Sequence, residues 1–488
     1  MKFYNIISNL KFIGIKNYQD LEIDSLSCRY QEKCTNSIFF CIKGHTQDGH
    51  DFATKAIENG AVCLVVERFL DLPITQILVE NTRKAMSYIS AVFFQTYATK
   101  MKFVGITGTN GKTTTTFLLR EILSAMGHNV GLIGTEGTYI NNLMLPPALT
   151  TPDPIDLHKL ISDMNNNGCE YCIMEVSAHS IALNKIDNII FDVVGLTNIT
   201  KDHLDFFINM ENYRKCKYSL FNLSHAKCGI VNVNYQIKNV QQNFELLTFG
   251  EAGDFNLLST MMDFDGTDFK FQFGDKIYDC HTNLVGQYNV LNLLLVISVL
   301  KKLGFEIEDV LKVVQKSTFN VPGRFNLLKT NANFNVVVDY AHTPDGIKNI
   351  LQAINELPVK RIITVFGCGG DRDKTKRPEM GKTACQLSQI TVVTTDNPRT
   401  ENPSLIIDQI VEGLPKEKYV RIEDRKTAIE YALSMAEKDD VVVILGKGAE
   451  NYQDINGVKM FFSDYQVVDE FFANQSKRVQ TTNNKQLG

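Results

Sequence analysis

The feature that most constrains this chain is the run Gly105-Ile-Thr-Gly-Thr-Asn-Gly-Lys-Thr-Thr114. A short β-rich stretch, Lys102–Thr107 (KFVGIT), leads into it, and a helical pattern, Thr113–Met126, leaves it and stops at Gly127. A strand, a glycine turn and a helix in that order build a phosphate cradle. Glycines let the backbone come close, several N–H groups point at one spot, and the helix N-terminus adds partial positive charge. Lys112 offers a point charge for β- and γ-phosphates, and Thr113 offers a hydroxyl for Mg²⁺. The run departs from the usual G-x-x-x-x-G-K-[ST] pattern: Ile106 stands at its first position, and Gly108 opens a shorter G-x-x-G-K-T loop. A plain strand–turn–helix connection also needs glycine, but it does not call for Lys-Thr at the helix start. Gly108, Thr109, Asn110, Gly111, Lys112, Thr113 and Thr114 are therefore the candidate nucleotide-binding residues.

The rest of the chain is consistent with an α/β protein. At about 150 residues per domain, 488 residues predict roughly three domains. In the first hundred residues Ser37–Ile42 and Ala61–Val66 read as strands, and Asp51–Asn59 and Thr82–Thr96 as helices. A second unit starts near Met101, with further apolar runs at Tyr171–Val176 and Phe191–Thr197, and its alternation predicts a mostly parallel sheet. A helical stretch, Val290–Leu303, precedes a break at Pro322–Gly323. Beyond it, strands at Val336–Tyr340, Arg361–Phe366, Ile390–Thr395 and Asp440–Leu445 alternate with helices, resembling a Rossmann-like doubly wound sheet. The expected division is 1–100, 101–325 and 326–475, with a polar tail at 476–488; the segment from Asn474 on reads as loose.

Composition narrows the function classes. Apolar residues at 44% and charged residues at 22% suit a globular chain and exclude a disordered polymer. Lys plus Arg number 50 against 55 for Asp plus Glu, so the basic excess of a nonspecific nucleic-acid binder is missing. No apolar run is long enough to predict a membrane span, and the N-terminus lacks a signal-peptide core. Eleven scattered cysteines, an odd number, fit a reducing cytoplasm. Cys169-x-x-Cys172 has no second pair or nearby His, so core packing is expected rather than metal.

Gly108-Thr-Asn-Gly-Lys-Thr-Thr114 resembles the ATP loop of the Mur ligase family, ATP-dependent amide ligases that build the peptide of bacterial cell-wall precursors. The resemblance continues through Glu175-Val-Ser-Ala-His-Ser180, Thr197-Asn-Ile-Thr-Lys-Asp-His-Leu-Asp205 and Tyr213-Arg-Lys-Cys-Lys217. It runs on through Gly286-Gln-Tyr-Asn-Val-Leu-Asn292, Pro322-Gly-Arg324 and Asp339-Tyr-Ala-His-Thr-Pro344. It closes with Gly367-Cys-Gly-Gly-Asp-Arg-Asp373, Asp396-Asn-Pro-Arg399 and Gly446-Lys-Gly448, so it spans most of the chain. The set is most similar to members that add the third residue of the peptide. The resemblance implies a small N-terminal α/β domain for the UDP end, a central P-loop ATPase domain and a C-terminal Rossmann-like domain. It also implies a cytoplasmic, monomeric enzyme.

The implied reaction turns a carboxylate and ATP into an acyl phosphate that an amine attacks. Several negative charges must meet, so cations have to neutralise them. By the resemblance, Glu175 holds magnesium, to which Thr113 can add its hydroxyl, and His203 is a ligand of a second magnesium, although His is an unusual ligand for so hard a cation. Lys217 takes the position of a lysine carbamylated by CO₂, which requires a neutral amine and hence a lowered pKa, and the resulting carboxylate joins the metal set by holding magnesium beside the γ-phosphate. Lys112, Lys217, Glu175 and His203 are then the catalytic set. Asn289 and Asn292, on one helical face, match an adenine-contacting pair. Arg324 and Asp339 match residues that hold phosphate and ribose, with His342 nearby.

For the UDP-N-acetylmuramoyl-dipeptide acceptor the resemblance selects Ser27, Thr150, Thr151, Ser177 and Lys185. Ser27-Cys28-Arg29 is a degenerate form of the family's Asp-Ser-Arg, and Lys185 stands where Arg is usual, losing the bidentate fork. For the added amino acid, meso-diaminopimelate differs from L-lysine by one distal carboxylate. Arg399, in Asp396-Asn397-Pro-Arg399, can pair that carboxylate bidentately, with Arg372 taking the other. Glu450 and the backbone near Gly446 would hold the distal ammonium; Ala449 replaces a customary His beside them. The alternatives are a lysine-adding member, a folylpolyglutamate-synthase-like ligase and a P-loop switch that does not ligate.

Overall fold

The computed structural model describes residues 1–44, 47–146, 149–237 and 240–486, with side chains up to residue 475. Strands of a parallel sheet that is covered on both faces must be apolar along their length rather than alternating. Tyr171–Glu175, Val130–Gly134, Val193–Leu196 and Cys228–Asn232 are buried end to end, and Lys102–Thr107 is buried after its first residue. They form the middle of an eleven-stranded sheet. Lys102–Thr107 lies inside it, parallel to Tyr171–Glu175 on one side and Val193–Leu196 on the other. Parallel pairing continues to Val130–Gly134 on one flank, and through Cys228–Asn232 to Glu245–Gly250 on the other. The loops after these strands therefore gather at one edge, the place where open α/β sheets bind ligands. Helices Lys112–Ala125 and Gln287–Lys302 share one core against the sheet through Leu119, Ile122, Leu293 and Ile297. Leu157, Ile161 and Met164 of helix Pro154–Asn166 build the core of the opposite face.

Two other sheets flank this one. The N-terminal sheet has five strands; Ser25–Ser27, Ser37–Phe40, Ala61–Val66 and Thr75–Leu78 are parallel, with Gly14–Lys16 antiparallel at the edge. The C-terminal sheet runs in the order Asn326–Leu328, Asn335–Asp339, Val441–Leu445, Ile362–Phe366, Ile390–Val393, Tyr419–Arg421. All its neighbours are parallel except the first pair. A hairpin, Tyr452–Ile455 with Val458–Phe461, follows.

The strands expected at Ala61–Val66 and Lys102–Thr107 are found residue for residue, and the helix after the glycine turn within one residue. The helix expected at Asp51–Asn59 divides into a 3₁₀ turn, Gly49–Phe52, and helix Ala53–Glu58. Asp48 causes this, because its carboxylate accepts from His50 N–H and caps the tighter turn. The tail expected to be loose is helical backbone: one helix runs Asp464–Gln486, anchored where Val467 and Val468 pack with Ala428 and Ile429. Unforeseen was the antiparallel extension Phe255–Met262, Thr267–Phe273 and Lys276–Thr282. Cys169 and Cys172 are buried in the core, as expected, and are free thiols. Among the described residues no helix is long and apolar enough to cross a membrane.

Candidate active site

The ligand edges of the central and C-terminal sheets face each other across one cleft of about 840 Å³. On the central side the phosphate loop leaves the C-terminal end of strand Lys102–Thr107. Gly111 ends the loop at φ +84°, and a Cβ there would stand 2.5 Å from Asn292 Oδ1. At Gly108, φ +152°, a Cβ would overlap Thr197 Oγ1. Both positions need glycine, for backbone freedom and for space. Asn198 holds the loop's shape: its Oδ1 accepts from Asn110 N–H at 2.9 Å, and its amide donates to Asn110 O at 3.0 Å.

Lys112 bends back over the loop and donates to Gly108 O at 3.0 Å and Thr109 O at 2.8 Å. Burial lowers its ammonium pKa, against the pull of Glu175 and Asp202. Lys217, 1% exposed, reaches the same loop from behind. It comes from helix Met210–Tyr218 and donates to Gly108 O at 2.7 Å, with Tyr213 as a ring neighbour. Burial, with the Lys112 charge second, holds its ammonium well below the ordinary lysine range.

Glu175 ends its strand beside the loop, 1% exposed. Its carboxylate accepts from Thr135 N–H at 2.9 Å and Thr135 Oγ1 at 3.1 Å. Thr150 follows through Thr135 Oγ1 at 3.0 Å, and Thr151 Oγ1 donates to Glu175 O at 2.8 Å. Ser177 and Lys185 line the same wall, and Lys185 pairs with Asp153 at 3.0 Å. His203 sits in the left-handed region, φ +54°, with Nε2 3.3 Å from Asp202 Oδ2. Desolvation pushes its imidazole pKa down to about 3, although the Asp202 charge opposes the shift.

Asp339 and Arg324 come from the C-terminal side. Asp339, at the end of its strand, accepts from Phe325 N–H and Ala341 N–H, both at 2.7 Å, and burial raises its carboxyl pKa. Arg324 crosses the cleft to donate to Thr113 Oγ1 at 3.3 Å, and its guanidinium lies 4.2 Å from the Tyr340 ring centre. His342 lines the cleft, its Nδ1 3.0 Å from Tyr340 O, and burial pushes its pKa down to about 4. Asn289 and Asn292 line the opposite wall. Asn110 joins the halves directly: its side-chain amide donates to Asp345 Oδ2 at 3.2 Å, and Thr343 Oγ1 donates to its Oδ1 at 3.3 Å.

Arg372, Asp396, Asn397, Arg399, Gly446 and Glu450 line the same cleft. Asn397 Nδ2 donates to Glu450 Oε2 at 2.9 Å, which aims that carboxylate. Lys447, fully buried, adds bonds to Glu450 Oε2 at 3.1 Å and Asn397 Oδ1 at 3.2 Å. Sequence reading gave Lys447 no role, nor Asp202, Lys376 or Thr135. Lys376 follows Arg372 by four residues, a signal that was available; the contacts of the others are long-range. Ser27 lies outside the cleft, where its Oγ accepts from Arg29 N–H at 3.1 Å in a local turn. Gly108, within the loop, and Lys217, behind it, are not on the cleft wall.

Three family descriptions match the chain in order: Mur ligase family, catalytic domain (residues 22–95), Mur ligase middle domain (106–300) and Mur ligase, glutamate ligase domain (323–448). The chain belongs to the Mur ligase family. It is 42% identical, over 96% of its length and 99% of the relative's, to UDP-N-acetylmuramoyl-L-alanyl-D-glutamate–2,6-diaminopimelate ligase 1 of Clostridium acetobutylicum. The ligase of the same name, without the number, from Caldanaerobacter subterraneus is 39% identical over 98% of this chain and all of its own. A solved structure of a ligase of that name superposes with a TM-score of 0.67 at 27% identity, covering 93% of this chain and 95% of that one.

Proposed function

We propose that this chain is an ATP-dependent ligase that joins meso-diaminopimelate to the D-glutamyl carboxylate of UDP-N-acetylmuramoyl-L-alanyl-D-glutamate, in the cytoplasm and as a monomer. The observation that carries this reading is that one cleft joins the phosphate loop to Arg372 and Arg399. The relatives' names point to the same reaction.

In this reading a carboxylate oxygen of the acceptor attacks the γ-phosphorus of ATP, and ADP leaves. The amine then attacks the acyl carbon, loses a proton and expels phosphate. Lys112 and the loop N–H groups hold the phosphates; Arg324 neutralises charge from across the cleft. Asn289 and Asn292 receive adenine, Asp339 ribose, and Thr150, Thr151, Ser177 and Lys185 the dipeptide, with Ser27 at the UDP end. Arg372 and Arg399 take the two carboxylates of the amino acid, and Glu450 its ammonium.

Among the described residues no three His, Cys, Asp or Glu side chains cluster as a metal cage. The hydroxyl of Thr113 and the carboxylate of Glu175 are hard oxygen donors of the kind magnesium takes, and it completes its shell with phosphate and water. Thr113, Glu175 and His203 would hold it, where it would offset charge on the phosphates. The depressed pKa of Lys217 suits an amine that takes up CO₂.

The test is phosphate release from ATP with the UDP-linked dipeptide and meso-diaminopimelate, L-lysine or no amino acid. Release with diaminopimelate alone supports the reading. Release with lysine as well would discard the selectivity, and release independent of any amino acid would discard ligation.

A further inference from the structure

The two arginines proposed for the carboxylates stand on different loops, residues 367–373 and 396–401. Pairing two carboxylates on one ligand requires a fixed distance between them, so something must tie the loops together. Gly369 lies between the two: a Cβ there would stand 2.8 Å from Arg399 Nη1 and 3.7 Å from Arg372 Cγ. Arg399 Nη1 also donates to Gly370 O at 2.7 Å, and Gly370 N–H donates to Asn397 O at 2.9 Å.

The tie is a guanidinium that does not reach the cleft. Arg377 opens helix Arg377–Leu387 and is 0% exposed. Its Nη2 donates to Gly369 O at 3.0 Å, directly beneath both arginines. Its fork grips Glu401, Nη2 to Oε1 at 2.9 Å and Nη1 to Oε2 at 3.0 Å, and Nη1 reaches Gln409 Oε1 at 2.6 Å. Glu401 Oε1 in turn accepts from Asp371 N–H at 2.6 Å. Asp371, at φ +53°, closes the frame by accepting from Thr400 N–H at 3.2 Å and Thr400 Oγ1 at 2.8 Å. One buried guanidinium thus touches both loops, and neither Arg377 nor Glu401 lines the cleft. A buried ion pair contributes little net stability over an apolar pair of the same volume. Its directional bonds do fix geometry, and displacement of a binding group by about 1 Å can cost roughly 10²-fold.

We propose that Arg377 and Glu401 are positioning residues that set the spacing of Arg372 and Arg399. Through it they set the preference for an amino acid with a carboxylate at each end over one with a single carboxylate. This rests on the ligase reading given above.

The experiment uses the full chain, as wild type, Arg377→Lys and Glu401→Gln, and measures KM for meso-diaminopimelate, L-lysine and ATP. Arg377→Lys keeps the charge but loses the fork. In both variants KM for diaminopimelate is expected to rise roughly tenfold or more. KM for ATP and kcat at saturation stay within about twofold, and the diaminopimelate-to-lysine ratio of kcat/KM falls. An unchanged ratio in folded variants, or a parallel rise in KM for ATP, overturns the proposal. If either buried substitution prevents folding, Thr400→Val decides at an exposed position: a smaller shift of the ratio in the same direction supports the proposal, and none overturns it. Wild-type enzyme that releases no phosphate in response to either amino acid rejects the ligase reading itself, and this proposal with it.

Discussion

Lys376 places its ammonium 3.5 Å from Asp202 Oδ1, joining the C-terminal half to the central one through two side chains that are each less than 10% exposed. Burial alone would raise the Asp202 pKa, but Lys376, His203 and His342 outweigh it and hold the carboxyl below the ordinary range. Lys376→Met would leave Asp202 without its main partner at the seam. Truncating one side of such a pair costs about 2–5 kcal/mol. The variant is expected to lose kcat/KM for all three substrates together, and a wild-type value for any of them would refute the seam's role. Because the folded pKa of Asp202 is depressed, its contribution is present above the ordinary Asp value of 3.8 and fades as pH falls below it. The wild-type and Lys376→Met stabilities should therefore converge in acid.

Lys217 is a second case where burial and function separate. Its folded pKa is lowered, so below its ordinary value of 10.5 the unfolded chain binds a proton that the native state resists. Its contribution therefore grows more favourable as pH rises from the depressed value toward 10.5. Lys217→Met should flatten that part of the stability profile while cutting ligation by roughly 10²-fold or more. Added bicarbonate should not restore it. Thermal melts from pH 7 to pH 9 and phosphate release check the two halves independently; a variant that keeps a tenth of the rate would exclude the proposed role of Lys217.

Gly111→Ala asks for a side chain at φ +84° within 2.5 Å of Asn292 Oδ1. The left-handed backbone alone costs an L-residue about 1–2 kcal/mol, and relieving the contact displaces a residue proposed to meet adenine. Lower melting temperature and weaker binding of a non-hydrolysable ATP analogue are expected together. Unchanged nucleotide affinity by calorimetry would show that the loop tolerates the Cβ.

Arg399 occupies φ +51°, a conformation that suits glycine better than arginine. Arg399→Gly is expected to relieve backbone strain while removing the guanidinium. The melting temperature should hold or rise, and KM for meso-diaminopimelate should increase by roughly 10²-fold with KM for ATP nearly constant. Equal losses for both substrates would end the selectivity argument. The strain is consistent with a residue kept for its charge at a site that disfavours its backbone.

The fold was legible where local signals were strong. Lys102–Thr107 and Ala61–Val66 are short apolar runs bounded by turns, and burial on both faces leaves no other use for them. The extension Thr267–Phe273 was missed although its sequence, Thr-Asp-Phe-Lys-Phe-Gln-Phe, alternates as a half-buried strand should. The phosphate loop could be read from spacing alone. The placement of Lys217 behind it could not, because 109 residues separate Lys217 from Gly108 and only folding sets the bond. The Arg377–Glu401 frame was hidden for a related reason: its members lie 24 residues apart and act through backbone carbonyls and amides that no motif encodes.

The cleft is assembled from two sheets that each carry their own core, the phosphate loop hanging on one and the Arg372–Arg399 loops on the other. In the proposed reading the loops that receive the incoming amino acid hang on a different sheet from the loop that grips the phosphates, even though Arg324 and Asp339 reach the nucleotide from the second side. A lineage could retune which residue it installs by substitutions confined to the second sheet's loops. The phosphate loop, with Arg324 and Asp339 facing it, would be left as it is.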